Sequence, residues 1–488
     1  MIDKALIGSI GQLKRDGRRE CVSAVRCRGM SKIVRNGPSG TKIYQYVAAV
    51  TVNLGIVCSE MHYGWPSPSL PILTNGTYSF TISQEEGSWL AVAPLIGAIF
   101  GAAVTGFVVD IFGRKRLIVL SSVPFTASWL FIAVAPSSVL MFVARFVAGM
   151  TDGLSFTAVP MYLGEIAEPK IRGLIASICP LCILFGYLLI NVLGSYLPID
   201  TTAYVAVSVP ILLLVTFVWM PESPYFYVMK GRVSEARRSL QKFRGRDDVS
   251  AELDRISEAV REQNARRGHF LDLVRVRSNR KALIIALGVR GIQQLSGTSA
   301  IMFFCKQVFE ESRDFLPSSV GTIVYFSVHL VLSGVASFVV DVSGRRPLLI
   351  FSVVGTAVSL FLNGSYLYVK ERTDVDTSGF NFLPMVALLM YVVFFSAGLQ
   401  IIPLLIMGEL FPTNVKAFAL CVMDVYFSVI VTCISKFFYW SSMSFGMHVP
   451  FFAFGCCCVV GLAFILFTVP ETKGKTLEDI QNELKGEK

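Results

Sequence analysis

Twelve stretches of the chain are apolar over about the length that crosses a bilayer, some 20 residues for roughly 30 Å of hydrocarbon. They fall at 44–64, 88–109, 117–135, 138–160, 173–196 and 202–220, then at 282–305, 318–340, 347–369, 383–407, 415–440 and 449–469. The pattern is six, a charged break, then six. Two connections are spelled alike. Gly106-Phe-Val-Val-Asp110-Ile-Phe-Gly113-Arg114-Lys115-Arg116 ends one apolar run in an acid, turns at a glycine and delivers three cations before the next run. The same spacing returns at Asp341-Val-Ser-Gly344-Arg345-Arg346. Each predicts a tight hairpin between two membrane helices. The acid can accept hydrogen bonds from a neighbouring helix N-terminus, and the cations stay on one side of the membrane. A chain that repeats its hairpin reads as two similar halves.

The cations also set the expected orientation. The loop 64–87 holds Glu85 and Glu86 and no Lys or Arg, whereas Arg114 to Arg116, Lys170, Arg172, the central interval, Arg345, Arg346 and Lys416 fall on the opposite side. Positive charge gathers in the cytosol, so both termini are expected there. Asn75-Gly-Thr77 is a glycosylation sequon in the first outer loop. Asn363-Gly-Ser365 has the same form but lies in or against a span and is read as a chance match.

Composition agrees with a membrane protein. Of 488 residues 53% are hydrophobic and 16% charged, and the mean hydropathy is +0.60, too apolar for a water-soluble globule of this size. The net charge of +10 is read as topology and not as a nucleic-acid surface, because the cations flank apolar spans. Most of the eleven cysteines lie inside apolar runs and read as small buried hydrophobes; Cys179-Pro-Leu-Cys182 has redox spacing but lies mid-span without flanking ligands. No cofactor or metal is expected. The segment before the first run is polar and basic without a cleavable apolar core, so the first span is expected to direct insertion. There is no phosphate-binding Gly-x-x-x-x-Gly-Lys-Ser loop and no converging nucleophile and base, so neither ATP-driven transport nor an enzyme is expected.

Ser234-Glu-Ala-Arg-Arg-Ser-Leu and Ala251-Glu-Leu-Asp-Arg-Ile-Ser-Glu-Ala-Val in the central interval have helical apolar spacing, which predicts short amphipathic helices against the inner face. Binding of anionic lipid heads is the alternative. The span ends share a grammar of acid and base: Glu165 and Arg172 after span four, Glu222 after span six, Glu409 and Lys416 after span ten, Glu471 after span twelve. With Asp110, Arg114, Asp341, Arg345 and Arg346 these are the candidate gate. Exposed ion pairs are worth about 1 kcal/mol or less each, so several hold a gate that still opens easily, which suits alternating access about a central site.

At these residues the chain resembles the sugar porter family of the major facilitator superfamily, over nearly all of 44–484. Gly106 to Arg116 resembles the superfamily loop between spans two and three. Pro160, Tyr162, Glu165, Arg172 and Gly173, with Pro221 to Pro224, Gln293-Gln-Leu-Ser-Gly297 and Pro470-Glu-Thr-Lys-Gly474, resemble the sugar porter signatures. Gly64-Trp-Pro-Ser-Pro-Ser-Leu-Pro71 is most similar to the insect branch that includes facilitated trehalose transporters. The resemblance implies an all-α fold of twelve transmembrane helices in two six-helix bundles, each built of inverted three-helix repeats, with a sugar at mid-membrane. It divides the chain into a basic cytosolic segment (1–43), a first bundle (44–220), a cytosolic linker (221–281), a second bundle (282–470) and a cytosolic tail (471–488). It also implies a sugar site at Gln293 and Gln294. An amide with two donors and two acceptor lone pairs suits hydroxyls that give and take.

The sugar shell departs from the family pattern. Ser299 stands where the family has asparagine, Phe303-Phe304 where tyrosines are usual, and His329 on the span-eight asparagine. Gly398-Leu-Gln400-Ile-Ile-Pro403-Leu404 replaces a proline-rich stretch ending in tryptophan, Phe427-Ser428 an asparagine and tryptophan, and Pro180 a span-five glutamine. Ser299, Phe303, His329 and Gln400 complete the candidate substrate site. Ionisable residues inside spans cost about 3 kcal/mol or more at mid-bilayer and need a reason. Arg145 matches a family arginine of span four. Glu60 lies near the position where proton-coupled relatives carry an aspartate that pairs with it; the other reading is a solvated residue at the outer mouth. Asp152 is two turns from Arg145 on one face, and Asp424 lies in span eleven. The expectation is a facilitative sugar transporter of the cell membrane, acting as a monomer on a hexose or a disaccharide such as trehalose. Its alternatives are a proton-coupled symporter working through Glu60, Asp152 or His329, and a sugar sensor with little flux.

Overall fold

The computed structural model describes residues 42–265, 270–313, 315–411, 413–471 and 473, all within one compact unit. The basic segment expected before residue 42 and most of the expected tail lie outside the described residues. The described chain is helical and, among those residues, contains no strand.

Helix α1 (Ile43–Gly64) continues through Trp65 into α2 (Pro66–Thr74). α3 (Gln84–Phe112) is opened by a capping box in which Ser83 and Glu86 satisfy each other's amides. α4 (Arg114–Ala133), α5 (Ser138–Ile166) and α6 (Arg172–Tyr196) follow. The sixth run begins earlier than its hydropathy implied and divides at Val207 into α7 (Ile199–Ala206) and α8 (Ser208–Phe217). Pro210 has no amide to offer the carbonyl of Ala206, so the ladder is interrupted there.

The central interval folds as α9 (Pro224–Met229), α10 (Val233–Arg244), α11 (Ser250–Ala265) and α12 (Asp272–Arg275). Ala236 and Leu240 of α10 pack with Leu253, Ile256 and Val260 of α11 in a core of their own, as the amphipathic spacing requires.

The second half comprises α13 (Arg277–Leu295), α14 (Thr298–Phe303), α15 (Cys305–Glu310), α16 (Ser318–Ser343), α17 (Arg345–Arg372), α18 (Leu383–Ala397), α19 (Ile402–Leu410), α20 (Thr413–Phe445) and α21 (His448–Thr468). Two runs that read as continuous are therefore broken. Span seven breaks at Gly297, which takes a left-handed φ of 84°, and again at Phe304. Span ten unwinds at Gly398 to Ile401. Ten helical segments among the described residues are long and apolar enough to cross a membrane. The other two expected spans, α1 and the α13–α15 series, are less apolar: Gln45, Asn53, Glu60 and His62 interrupt the first, and Arg277, Arg280, Lys281 and Arg290 the second.

The repeated hairpin is repeated in three dimensions. Gly113 and Gly344 share a backbone that only glycine adopts readily, with φ of 95° and 89° and ψ of 160° and 156°. The acid that receives the next helix N-terminus is not the one the spacing indicated. Glu222 accepts from the amide of Lys115 at 2.9 and 3.1 Å, and Glu471 accepts from those of Arg345 and Arg346 at 3.1 and 3.0 Å. Asp110 instead pairs with Arg114 one turn on, at 3.0 Å; the side chain of Asp341 is outside the described residues. The carboxylate that ends each half thus caps that half's third span, where the free amides and the helix dipole favour an anion. α3 and α5 cross in close contact: a Cβ on Gly149 would stand 1.9 Å from the carbonyl oxygen of Pro94.

Candidate functional site

The two breaks in the second half face each other, and Gln293 joins them. Its amide Nε2 donates to the carbonyls of Leu399 at 2.7 Å and Gln400 at 3.1 Å, which the unwinding of span ten has freed. Its Oε1 accepts from Arg290 at 2.5 Å and from Gln294 at 3.3 Å. Both donors and both lone pairs are engaged. Gln294 differs: its Oε1 accepts from Ser299 Oγ at 2.7 Å, its Nε2 gives one hydrogen to Gln293, and the second hydrogen has no described acceptor. On α16, His329 Nε2 meets Gln400 Oε1 at 3.1 Å while its buried Nδ1 has no partner among the described residues. Tyr391 lies behind, its hydroxyl 3.3 Å from that of Ser296. The structure therefore gathers Gln293, Gln294, Ser299, His329 and Gln400 into one constellation.

Arg290 escaped the sequence reading. Its guanidinium lies 4.4 Å from the ring centroid of Phe427; among the described residues its buried Nε has no partner, and Asp424 is within electrostatic reach without forming an ion pair with it. The signal was present: a lone cation in the apolar part of span seven, one turn before the glutamine pair.

The first half supplies the facing wall. Phe303 stacks on Tyr63 with ring centroids 6.1 Å apart, and the Tyr63 hydroxyl donates to Asp152 Oδ2 at 2.8 Å. Ser59 donates to the other oxygen of Asp152. Tyr187 of α6 stacks on Phe326 of α16 at 5.5 Å. Arg145 and Glu60 are both buried, but they are not paired. The guanidinium of Arg145 donates to the carbonyls of Leu90 at 2.7 Å, His62 at 2.8 Å and Ala91 at 3.3 Å, and it lies 4.9 Å from the Trp65 ring. Those carbonyls occupy the face that a carboxylate would need. Asp152, two turns from Arg145 as the spacing indicated, is held by the hydroxyls alone.

The two ends of the helices differ. On the face that carries the hairpins, ion pairs run within the first half and hydrogen bonds within the second. Buried Arg114 binds Asp110 and Glu165, the latter at 3.1 Å, and Ser223 also donates to Glu165. Glu165 therefore pairs with Arg114 and not with Arg172, which is exposed at the start of α6 because the first turn of α4 stands over the end of α5. Arg346 donates to the Leu466 carbonyl at 2.5 Å. Lys416 is half-buried, and the side chain of Glu409 is outside the described residues. On the opposite face the halves are stitched together: Lys436 Nζ donates to Ser88 Oγ at 2.6 Å and lies 4.1 Å from the Trp89 ring. The amide of Lys306 donates to Ser67 at 3.2 Å, and the Tyr439 hydroxyl to Gln84 at 3.4 Å. These hydrogen bonds join α1–α8 to α13–α21 on the face away from the hairpins. Asn75 is exposed on the stitched face, whereas Asn363 is buried in α17.

Comparison with known proteins agrees with this architecture. The sequence profile of the family described as "Sugar (and other) transporter" matches residues 24–484. The facilitated trehalose transporter Tret1 of Drosophila mojavensis is 34% identical over 98% of the chain, and those of Culex quinquefasciatus and Polypedilum vanderplanki are each 33% identical, over 91% and 97%. The chain spans 56% of the Drosophila relative but 86% and 95% of the other two. Among solved structures, the inward open xylose transporter XylE from E. coli superposes with a TM-score of 0.74 at 21% identity, covering 90% of this chain and 99% of that one. This likeness shows the major facilitator fold, twelve helices in two six-helix bundles. A multi-pass membrane protein with this profile match and these relatives belongs to the sugar transporter family.

Proposed function

We propose that the chain is a facilitative transporter that carries a sugar, a hexose or a disaccharide such as trehalose, across the cell membrane by alternating access. The observation that carries this reading is a polar constellation between two broken helices, under halves stitched on the face away from the hairpins. Unwound segments at membrane depth are tolerated where they line a cavity. Gln294, Ser299, His329 and Gln400 offer the sugar unsatisfied donors and acceptors, Phe303 an apolar wall, and Gln293 holds the kink that presents them. The hairpin face is the cytosolic one, with both termini on that side, and the stitched face is the closed outer one, so the described state opens inward; the ion pairs of Arg114 with Asp110 and Glu165, and the caps that Glu222 and Glu471 place on the amides of Lys115 and of Arg345 and Arg346, stiffen each half so that it rocks as a body. The bodies are the bundles 44–220 and 282–470, joined by the linker 221–281, and the unit of transport is the monomer. No nucleic acid takes part.

Exchange tests the reading. Proteoliposomes loaded with unlabelled trehalose and diluted into labelled trehalose are expected to show a transient overshoot of label; absence of counterflow for trehalose and for glucose would overturn it. A second reading, proton coupling, rests on Glu60 and Asp152, two acids buried together on the first-half wall and within electrostatic reach of each other. It is distinguished by an overshoot that depends on an imposed proton gradient.

A further inference from the structure

The linker carries more cations than its acids can match, and the structure shows where the excess lies. Glu252 is taken by Arg244 at 2.8 Å, Arg246 at 3.3 Å and Arg255 at 3.6 Å. Glu235 is taken by Arg232 at 2.5 Å, and Glu168 by Arg244 at 3.6 Å and Lys42 at 4.0 Å. Glu222 is spent on the first turn of α4. Arg238 and Lys242, on the exposed side of α10, have no acid within ion-pair distance among the described residues. Together with Arg246 and Asp247 they line a cleft of about 430 Å³ beyond the left-handed cap at Gly245. Lys115 and Arg116 of the α3–α4 hairpin also lack an acid within ion-pair distance among the described residues, and Lys115 lies within electrostatic reach of Glu222, Lys242 and Arg116. Asp247 is the single carboxylate at the rim.

The cleft also sits at a defined depth. The carbonyl of Phe243, at the end of α10, accepts from the side chain of Gln45 at 3.0 Å, in the first turn of α1. That turn exposes Ile43 (64%) and Tyr44 (46%). Beside the hairpin, Ile111 is 61% exposed. Apolar side chains turned outward at the start and end of membrane helices mark the edge of the hydrocarbon, so the cations stand at the level of the headgroups. Lys and Arg at that level are drawn to anionic lipid, and a concave arrangement of Arg and Lys suits phosphate oxygens.

We propose that the cleft bounded by Arg238, Lys242 and Arg246, with Lys115 within electrostatic reach of Lys242, binds the phosphate of an anionic lipid headgroup in the leaflet facing the linker. An occupied cleft adds a shared anion between Lys242 of α10 and Lys115 of the α3–α4 hairpin, which Glu222 already links by accepting from the Lys115 amide and, at its carbonyl, from Ser239.

The test uses the full-length protein in detergent, titrated by thermophoresis with dioctanoyl phosphatidate, dioctanoyl phosphatidylcholine or inorganic phosphate. Saturable binding of phosphatidate is expected, roughly thirty-fold weaker in the Arg238→Gln, Lys242→Gln double variant, with no saturation by phosphatidylcholine. Both residues are exposed, so the variant is expected to melt like the wild type, which separates a lost site from a lost fold. Equal phosphatidate binding by variant and wild type would overturn the site. Inorganic phosphate binding as tightly as phosphatidate would overturn the lipid as its source.

Discussion

Replacing Gln293 with leucine is expected to damage the fold more than the substrate site, although the residue sits in the signature that marks the site. The substitution removes the two donations to Leu399 and Gln400 and the two acceptances from Arg290 and Gln294. A buried carbonyl left unsatisfied costs about 1–3 kcal/mol, whereas side-chain hydrogen bonds between membrane helices average only about 0.6 kcal/mol. The lower figure applies where the chain finds substitute partners. Here the unwinding from Gly398 to Ile401 has already removed the helical amides that would serve, so a loss of about 3 kcal/mol is expected. Gln294→Leu forfeits one contact to Ser299 and one to Gln293 and leaves no backbone group bare, so about 1 kcal/mol or less is expected. The two variants are compared by thermal melting in detergent, with and without saturating trehalose. Gln293→Leu should melt several degrees lower while keeping a sugar-induced shift; Gln294→Leu should melt near the wild type and lose that shift. Equal melting of both, or an unchanged fold in Gln293→Leu with sugar binding lost, would refute the division of labour.

Other consequences follow from the two faces. Lys436→Ala removes a charged hydrogen bond to Ser88 and a cation–π contact with Trp89, about 2 kcal/mol together, so the outward-open population should rise roughly thirty-fold; labelling of a cysteine placed at Gln307, on the same face but outside the stitch, by an impermeant reagent measures it, and an unchanged rate would refute the stitch. Arg114→Ala leaves Glu165 without its cation, and a loss of about 1–3 kcal/mol is expected, since Asp110 is half in water; a melt within a degree of the wild type would contradict it. The linker should respond to acid. Burial pushes the Glu252 carboxyl up, but hydrogen bonds and charge from Arg244, with Arg255 and Arg246, more than offset it and hold it below the ordinary glutamate range. A depressed folded value means that the stabilisation is present above the unfolded value near about 4.3 and fades as pH falls through the folded one. Protease nicking between α10 and α11 should therefore rise below that range in the wild type, and Glu252→Gln should show raised, pH-independent nicking.

Much of this was legible because membranes make sequence speak in long periods. Run lengths fixed the spans, and the doubled Asp-to-Gly-to-cation spacing announced the two halves, confirmed by the matching geometry at Gly113 and Gly344. The partner of each charge was less legible. A spacing cannot tell whether Asp110 reaches a helix end or the arginine one turn on, and the capping acids Glu222 and Glu471 lie more than a hundred residues from the amides they hold. Hydropathy is also blind to a broken helix, since a window long enough to find a span averages over a single Gly297 or Gln400. Arg145 shows the same limit: its family match said that it was needed, but only the fold shows three carbonyls in place of the carboxylate of Glu60.

The most direct test of the central claim is equilibrium uptake of radiolabelled trehalose and glucose into proteoliposomes of the purified chain, with and without an inward proton gradient. The account predicts that at least one of the sugars fills the vesicles to the external concentration and no further, with or without the gradient. Accumulation driven by the gradient would contradict a facilitator and turn attention to Glu60 and Asp152, and no flux of either sugar would contradict sugar transport through this site.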